Sequence, residues 1–98
     1  IKKLIDRYGF ELAIKDKVDS GMSVWGTCAG LICIASELTE SDPIPMKLIE
    51  AEVSRNWFGR QVDSFESDLK FDGINETIKA VFIRAPIVKK ISKRVNIL

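Results

Sequence analysis

Val24-Trp25-Gly26-Thr27-Cys28-Ala29-Gly30-Leu31-Ile32 reads as a strand that runs into a sharp turn and leaves it as a helix, with a cysteine at the tip. Its centre is Gly-x-Cys-x-Gly. This is the thiol counterpart of the Gly-x-Ser-x-Gly nucleophile elbow, in which flanking glycines let a strained nucleophile stand clear of the backbone. A helix starting just after Cys28 aims its free N–H groups and positive dipole end at the sulfur, which favours the thiolate. An isolated cysteine is most often a core thiol. The bracketing glycines, the strand leading in and the helix leading out instead make Cys28 a candidate nucleophile. The N–H of Ala29, the residue after it, is then one half of an oxyanion hole, the other half coming from a different loop. Cys33 sits amid Leu31, Ile32 and Ile34 and reads as packing. A helix over Ala29 to Leu38 would point the two sulfurs apart, which argues against a disulfide between them.

Upstream of the elbow, Ile1, Leu4, Ile5, Tyr8 and Leu12 recur at helical spacing, and Gly9 is placed to break that helix in two. Lys15-Asp16-Lys17 is a polar connection or helix end, and Asp19-Ser20-Gly21 a turn leading into a strand over Met22 to Trp25. Downstream, Thr39-Glu40-Ser41-Asp42-Pro43 stops the elbow helix, and Pro43 and Pro45 keep the next residues extended or turned. Leu48 to Val53 alternates as a strand. Phe65, Leu69 and Phe71 give one apolar strand face. Asp72-Gly73-Ile74-Asn75 is a turn. Thr77 to Ile83 is β-branched and apolar, the pattern of a buried strand. Ile87 to Ile91 and Val95 to Leu98 are weaker strand candidates. The first half has the α/β rhythm of a parallel sheet; the second half looks more antiparallel.

The 98 residues make at most one domain. A charged content of 30% with a net charge of +1 gives no basic footprint for nucleic acid. No apolar run approaches the roughly 20 residues that span a bilayer, so no membrane association is expected. Two unpaired thiols suit a reducing, cytoplasmic compartment. The chain has no histidine and does not begin with methionine. Those absences, with an apparent mid-strand stop at Val95 to Leu98, are what a piece of a longer protein would show.

Other constellations are weaker. A cysteine nucleophile normally works with a histidine held by a carboxylate. Asp63, Glu66 and Asp68 cannot replace an imidazole near neutral pH and read as a solvated face. Arg55 and Arg84 each end a strand-like segment, where ligands gather in parallel sheets and where arginine can grip a carboxylate with two prongs. No metal-ligand cluster and no dinucleotide or P-loop pattern occurs, so neither metal nor cofactor is expected.

Gly26-Thr27-Cys28-Ala29-Gly30-Leu31-Ile32 resembles the elbow of class I, triad-type glutamine amidotransferases. Arg55-Asn56-Trp57-Phe58-Gly59-Arg60-Gln61-Val62-Asp63-Ser64-Phe65-Glu66 and Val81-Phe82-Ile83-Arg84-Ala85-Pro86 narrow the resemblance to the glutaminase subunit of pyridoxal 5′-phosphate synthase. Leu4-Ile5-Asp6-Arg7-Tyr8-Gly9-Phe10 fits as well. The resemblance implies a partial flavodoxin-like, three-layer α/β fold with a central mixed sheet, lacking N- and C-terminal elements, so that residues 1–98 form a single incomplete domain. It implies hydrolysis of L-glutamine to glutamate and ammonia through a cysteine thioester, and delivery of the ammonia to a (β/α)₈-barrel synthase subunit in vitamin B6 biosynthesis. By the same resemblance, Cys28 is the nucleophile, Ala29 an oxyanion donor, and Arg55, Ile83 and Arg84 the glutamine contacts.

The family's Gly-Gly-Glu-Ser loop and His-x-Glu motif are not in these residues, so the 98 residues alone are expected to be inactive. Ser23 stands where the family usually has proline, Trp57 where a small polar residue is typical, and Lys47 where glycine is common. The competing reading is a non-catalytic homologue that docks on the synthase. A piece lacking both ends should also expose apolar surface on its strands and on the elbow helix.

Overall fold

The computed structural model describes residues 1–55, 64–83 and 85–98. Helix α1 spans Lys2–Arg7 and α2 spans Phe10–Asp19. The break falls at Gly9, which takes a left-handed φ of 69°. Such a conformation costs a side-chain-bearing residue about 1–2 kcal/mol and glycine little. Lys15-Asp16-Lys17 lies inside α2 rather than in a connection. Charge ties the two helices together. Lys2 is only 5% exposed, and its ammonium donates to Asp6 and, at 2.7 Å, to Glu11. Glu11 also accepts from Lys15 at 2.5 Å.

Met22 to Trp25 does not form the expected strand. A strand exists only as a paired element, and this segment has no ladder partner among the described residues. The elbow helix, α3, spans Ala29–Ile34 and stops short of the expected Leu38. Ala35–Leu38 instead forms strand β1. The backbone of residues 46–48 ends the helix. Met46 N–H donates to the Cys33 carbonyl at 2.7 Å, Leu48 to Ile34 at 2.9 Å, and Lys47 to Ala35 at 3.0 Å. Carbonyls that a longer helix would have used internally are thereby satisfied from outside it.

Strand β2, Ile49–Ser54, runs parallel to β1. The Ser36 hydroxyl reinforces the pair by donating to the Ala51 carbonyl at 3.0 Å. On its other edge β2 pairs antiparallel with the last strand, Ile87–Ile91. The result is a three-stranded mixed sheet with α3 packed on its two parallel strands. This is the α/β arrangement with a mixed sheet that the sequence suggested. The core sits under α3: Cys33, Ala35, Met46, Ala51 and Val53 are buried. The packing role of Cys33 holds, and both cysteines are free thiols.

Strands β3, Phe65–Leu69, and β4, Ile78–Phe82, form a separate antiparallel hairpin closed by a turn containing Gly73. In chain order Ile87–Ile91 is therefore β5. Phe65 and Phe82 stack directly across the hairpin with ring centroids 4.7 Å apart. The expectation that the β4 segment is buried fails: Val81 is 62% exposed, and Ile78 is exposed too. A β-branched apolar run is buried only where another layer covers it, and β3–β4 pairs with no third strand among the described residues. Val95 to Leu98 is not a strand either; Val95 N–H closes a turn onto the Ser92 carbonyl at 3.1 Å. The expected exposure of apolar surface is found on the strands, at Phe65, Ile78, Val81, Val88 and Ile91. The apolar residues of α3 are half-buried or buried instead.

Candidate active site

Cys28 is exposed and sits at the N-cap of α3 with φ 48° and ψ −112°. That lies outside the helical, extended and ordinary left-handed basins. Holding a non-glycine residue in so sparse a region costs about 1–3 kcal/mol, and such strain collects at functional sites. The turn is built by short-range bonds: Gly30 N–H donates to the Thr27 carbonyl at 2.7 Å and Ile32 N–H to the Cys28 carbonyl at 3.3 Å. Gly26 is required by close approach. A Cβ there would lie 2.7 Å from Ile34 Cδ1 and 2.8 Å from the Gly30 backbone. Gly30 itself faces open space. Ala29 is the first residue of α3, so its N–H has no intrahelical acceptor. It stands where an oxyanion donor after the nucleophile belongs.

Arg55 follows the last residue of β2. Its backbone N–H donates to both carboxylate oxygens of Glu40 at 3.1 Å, and its guanidinium donates to the Asp42 carbonyl at 2.5 Å. The guanidinium makes no ion pair among the described residues and so keeps its charge available. A cavity of about 110 Å³ is lined by Ala29, Arg55, Lys2, Ile32, Cys33 and Pro43 among others. It brings Ala29 and Arg55 to one space, and Cys28 is not among the residues lining it. Lys2 adds a second cation, already met by Asp6 and Glu11. Burial lowers the proton affinity of its ammonium, but the hydrogen bonds to Asp6 and Glu11 outweigh that and leave its pKa raised.

The other expected contacts are not joined to this cavity. Ile83 follows β4, is exposed, and is not among the residues lining it. Arg84 lies outside the described residues, as do Asn56 to Asp63 and with them Trp57 and Asp63. Glu66 and Asp68 are exposed on β3, and Glu66 pairs across the hairpin with Lys79 at 3.7 Å. Their reading as a solvated face therefore holds. Among the described residues no group of three or more His, Cys, Asp or Glu is placed to hold a metal. Nor is any helix long and apolar enough to cross a membrane.

Nothing in the local sequence marks Glu40 or Lys2 as a site residue. Glu40 read as part of the polar stop after the elbow helix, and Lys2 as the polar side of an amphipathic helix. No local pattern marks which N–H an acidic residue will take. Lys47, expected to stand where glycine is common, is held in a conformation that costs a side-chain-bearing residue. Its φ is 60°, the left-handed region where glycine is favoured.

The whole chain, residues 1–98, matches the family model described as the SNO glutamine amidotransferase family. It is 46% identical over 98 residues to "Pyridoxal 5'-phosphate synthase subunit PdxT" of Niallia circulans, covering all of this chain and 52% of that protein. It is 50% identical over 101 residues to the protein of the same name from Dehalococcoides mccartyi strain CBDB1, again covering all of this chain and 52% of the relative. A solved structure titled "Crystal structure of glutamine amidotransferase" superposes with a TM-score of 0.79 at 40% identity, over 93% of this chain and 49% of that one. The chain thus spans about half the length of the relatives it matches. With the family model matched over its full length, the chain belongs to the SNO glutamine amidotransferase family.

Proposed function

We propose that these residues are the nucleophile-bearing part of a glutaminase subunit of pyridoxal 5′-phosphate synthase. The observation that carries the reading is the exposed Cys28 held at φ 48° between a tightly packed Gly26 and the start of α3. The names of the relatives and the family support glutamine as substrate and a synthase as partner.

In this reading the Cys28 thiolate attacks the side-chain amide carbon of L-glutamine. The carbonyl oxygen gathers negative charge and is met by the Ala29 N–H. The carbon–nitrogen bond breaks, nitrogen takes back the proton that the thiol gave up to its base, and ammonia leaves a γ-glutamyl thioester on Cys28. Water then adds to the thioester, releases glutamate and returns the thiol. Arg55, whose guanidinium has no ion pair among the described residues, grips the substrate's carboxylate, and Ile83 and Arg84 complete the glutamine contacts by resemblance. The proton acceptor for the thiol is not among these residues, which contain no histidine. The ammonia passes to a (β/α)₈-barrel synthase subunit. A non-catalytic docking module would leave the strain at Cys28 without a role.

The test is glutamine hydrolysis by the protein as its gene encodes it, with the synthase subunit present. Cys28→Ser should abolish ammonia release, while Cys33→Ser should retain it. Equal activity in the Cys28→Ser variant would overturn the reading.

A further inference from the structure

We infer that Glu40 is the positioning residue for Arg55, a role that rests on the glutamine-binding reading of that arginine. Strands β1 and β2 run parallel, so their C-terminal ends reach the same sheet edge. The ladder's last backbone bond there is Thr39 N–H to the Val53 carbonyl at 3.0 Å. Past that point the chains part, and the Arg55 N–H would be left without a strand neighbour. The Glu40 carboxylate takes it instead, with both oxygens at 3.1 Å from the nitrogen. The same carboxylate accepts from the hydroxyl of the buried Ser54 at 3.2 Å.

Two consecutive residues of β2's end are thus clamped by one side chain from the end of β1. The clamp fixes where the Arg55 side chain leaves the sheet. The guanidinium is then steadied from the same loop by the Asp42 carbonyl, two residues beyond Glu40. Both anchors of Arg55 therefore come from the segment that follows β1, and Arg55 enters the cavity shared with Ala29. Glu40 keeps its own charge against desolvation. Burial favours its protonated form, but the bonds from Arg55 N–H, the Thr39 hydroxyl and the Ser54 hydroxyl outweigh it and hold its pKa below the ordinary value.

A clamp acting through Arg55 should affect substrate binding more than chemistry. In the protein as its gene encodes it, with the synthase subunit, Glu40→Ala should raise the KM for L-glutamine roughly tenfold with kcat within about twofold. Glu40→Gln retains a carbonyl oxygen that accepts from the Arg55 N–H, and should restore KM to within about threefold. The Arg55 amide should exchange with solvent faster in the alanine variant than in the glutamine variant. An unchanged KM in a folded Glu40→Ala protein overturns the role. So does a fall of kcat with unaltered KM that tracks loss of folded protein, or a glutamine variant as impaired as alanine. If the unmodified protein hydrolyses no glutamine, the glutaminase reading fails first and the role falls with it, an outcome distinct from active protein with unaltered KM.

Discussion

The elbow end of the molecule and the β3–β4 hairpin are made of similar residues and meet different fates. Both contain short strands rich in valine, isoleucine and alanine. At the elbow end, α3 lies over β1 and β2, and Val53 is completely buried. In the hairpin, Val81 occupies an equally apolar strand but is 62% exposed. The difference is layering rather than composition. A two-stranded ribbon has no second layer of its own and is marginal in isolation, whereas a sheet with a helix on one face buries that face. The strained turn at Cys28 is found on the layered side. Strain of this kind persists only where surrounding structure over-determines it.

Substitutions can break this contrast. The largest effect should come from Gly26→Ala, because the added Cβ meets the Gly30 backbone, which cannot swing aside. A loss of about 3 kcal/mol in urea unfolding is expected, as for overpacking at a rigid site. Gly30→Ala, with open space around it, should cost nothing. Next, Val53→Ala should cost about 2 kcal/mol through the cavity it leaves, while Val81→Ala should stay within about 0.5 kcal/mol. Equal costs at the two valines would show that the hairpin is covered as well as the sheet.

That contrast also marks what could be read from the residues alone. The elbow, the break at Gly9, and the strands at Ile49–Ser54, Phe65–Leu69, Ile78–Phe82 and Ile87–Ile91 follow from local pattern and turn chemistry. The end of α3 does not. Leu31, Ala35 and Leu38 fit a helical face, yet Ala35–Leu38 is equally able to pair as a strand once Ile49–Ser54 lies alongside. Met22–Trp25 had the pattern of a strand but meets no ladder partner among the described residues. The burial of β4 was illegible for the same reason: cover is supplied by other parts of a structure. Of the residues proposed for the site, Cys28, Ala29 and Arg55 can be nominated from the sequence because motif spacing carries them. Glu40 was not, because its role depends on two strand ends meeting in space.

Smaller effects sharpen the picture of the layered side. Lys47 holds φ 60° beside the α3–β1 junction. Lys47→Gly should raise stability by about 0.5 kcal/mol, the left-handed penalty relieved less the entropy glycine loses on folding. A lower melting temperature would contradict this. Glu11 supplies the pH test. Its hydrogen bonds from Lys15 and Lys2 lower its pKa to about 2 from an ordinary 4.5. A depressed carboxylate contributes stability in full above its unfolded pKa and loses it as pH falls through the folded one. The contribution should therefore be flat above about pH 4.5 and fade toward about pH 2. Removing the charge by Glu11→Gln should flatten that limb of an acid-unfolding profile. A Glu11 carboxyl that titrates at its ordinary value by NMR would contradict the network.

The most direct test of the central claim is mass spectrometry of the gene-encoded protein, acid-quenched during turnover of L-glutamine with the synthase subunit present. The account predicts a γ-glutamyl adduct on the peptide carrying Cys28, absent in Cys28→Ser. An adduct on Cys33, or hydrolysis that continues with Cys28 unmodified and replaceable, would contradict it.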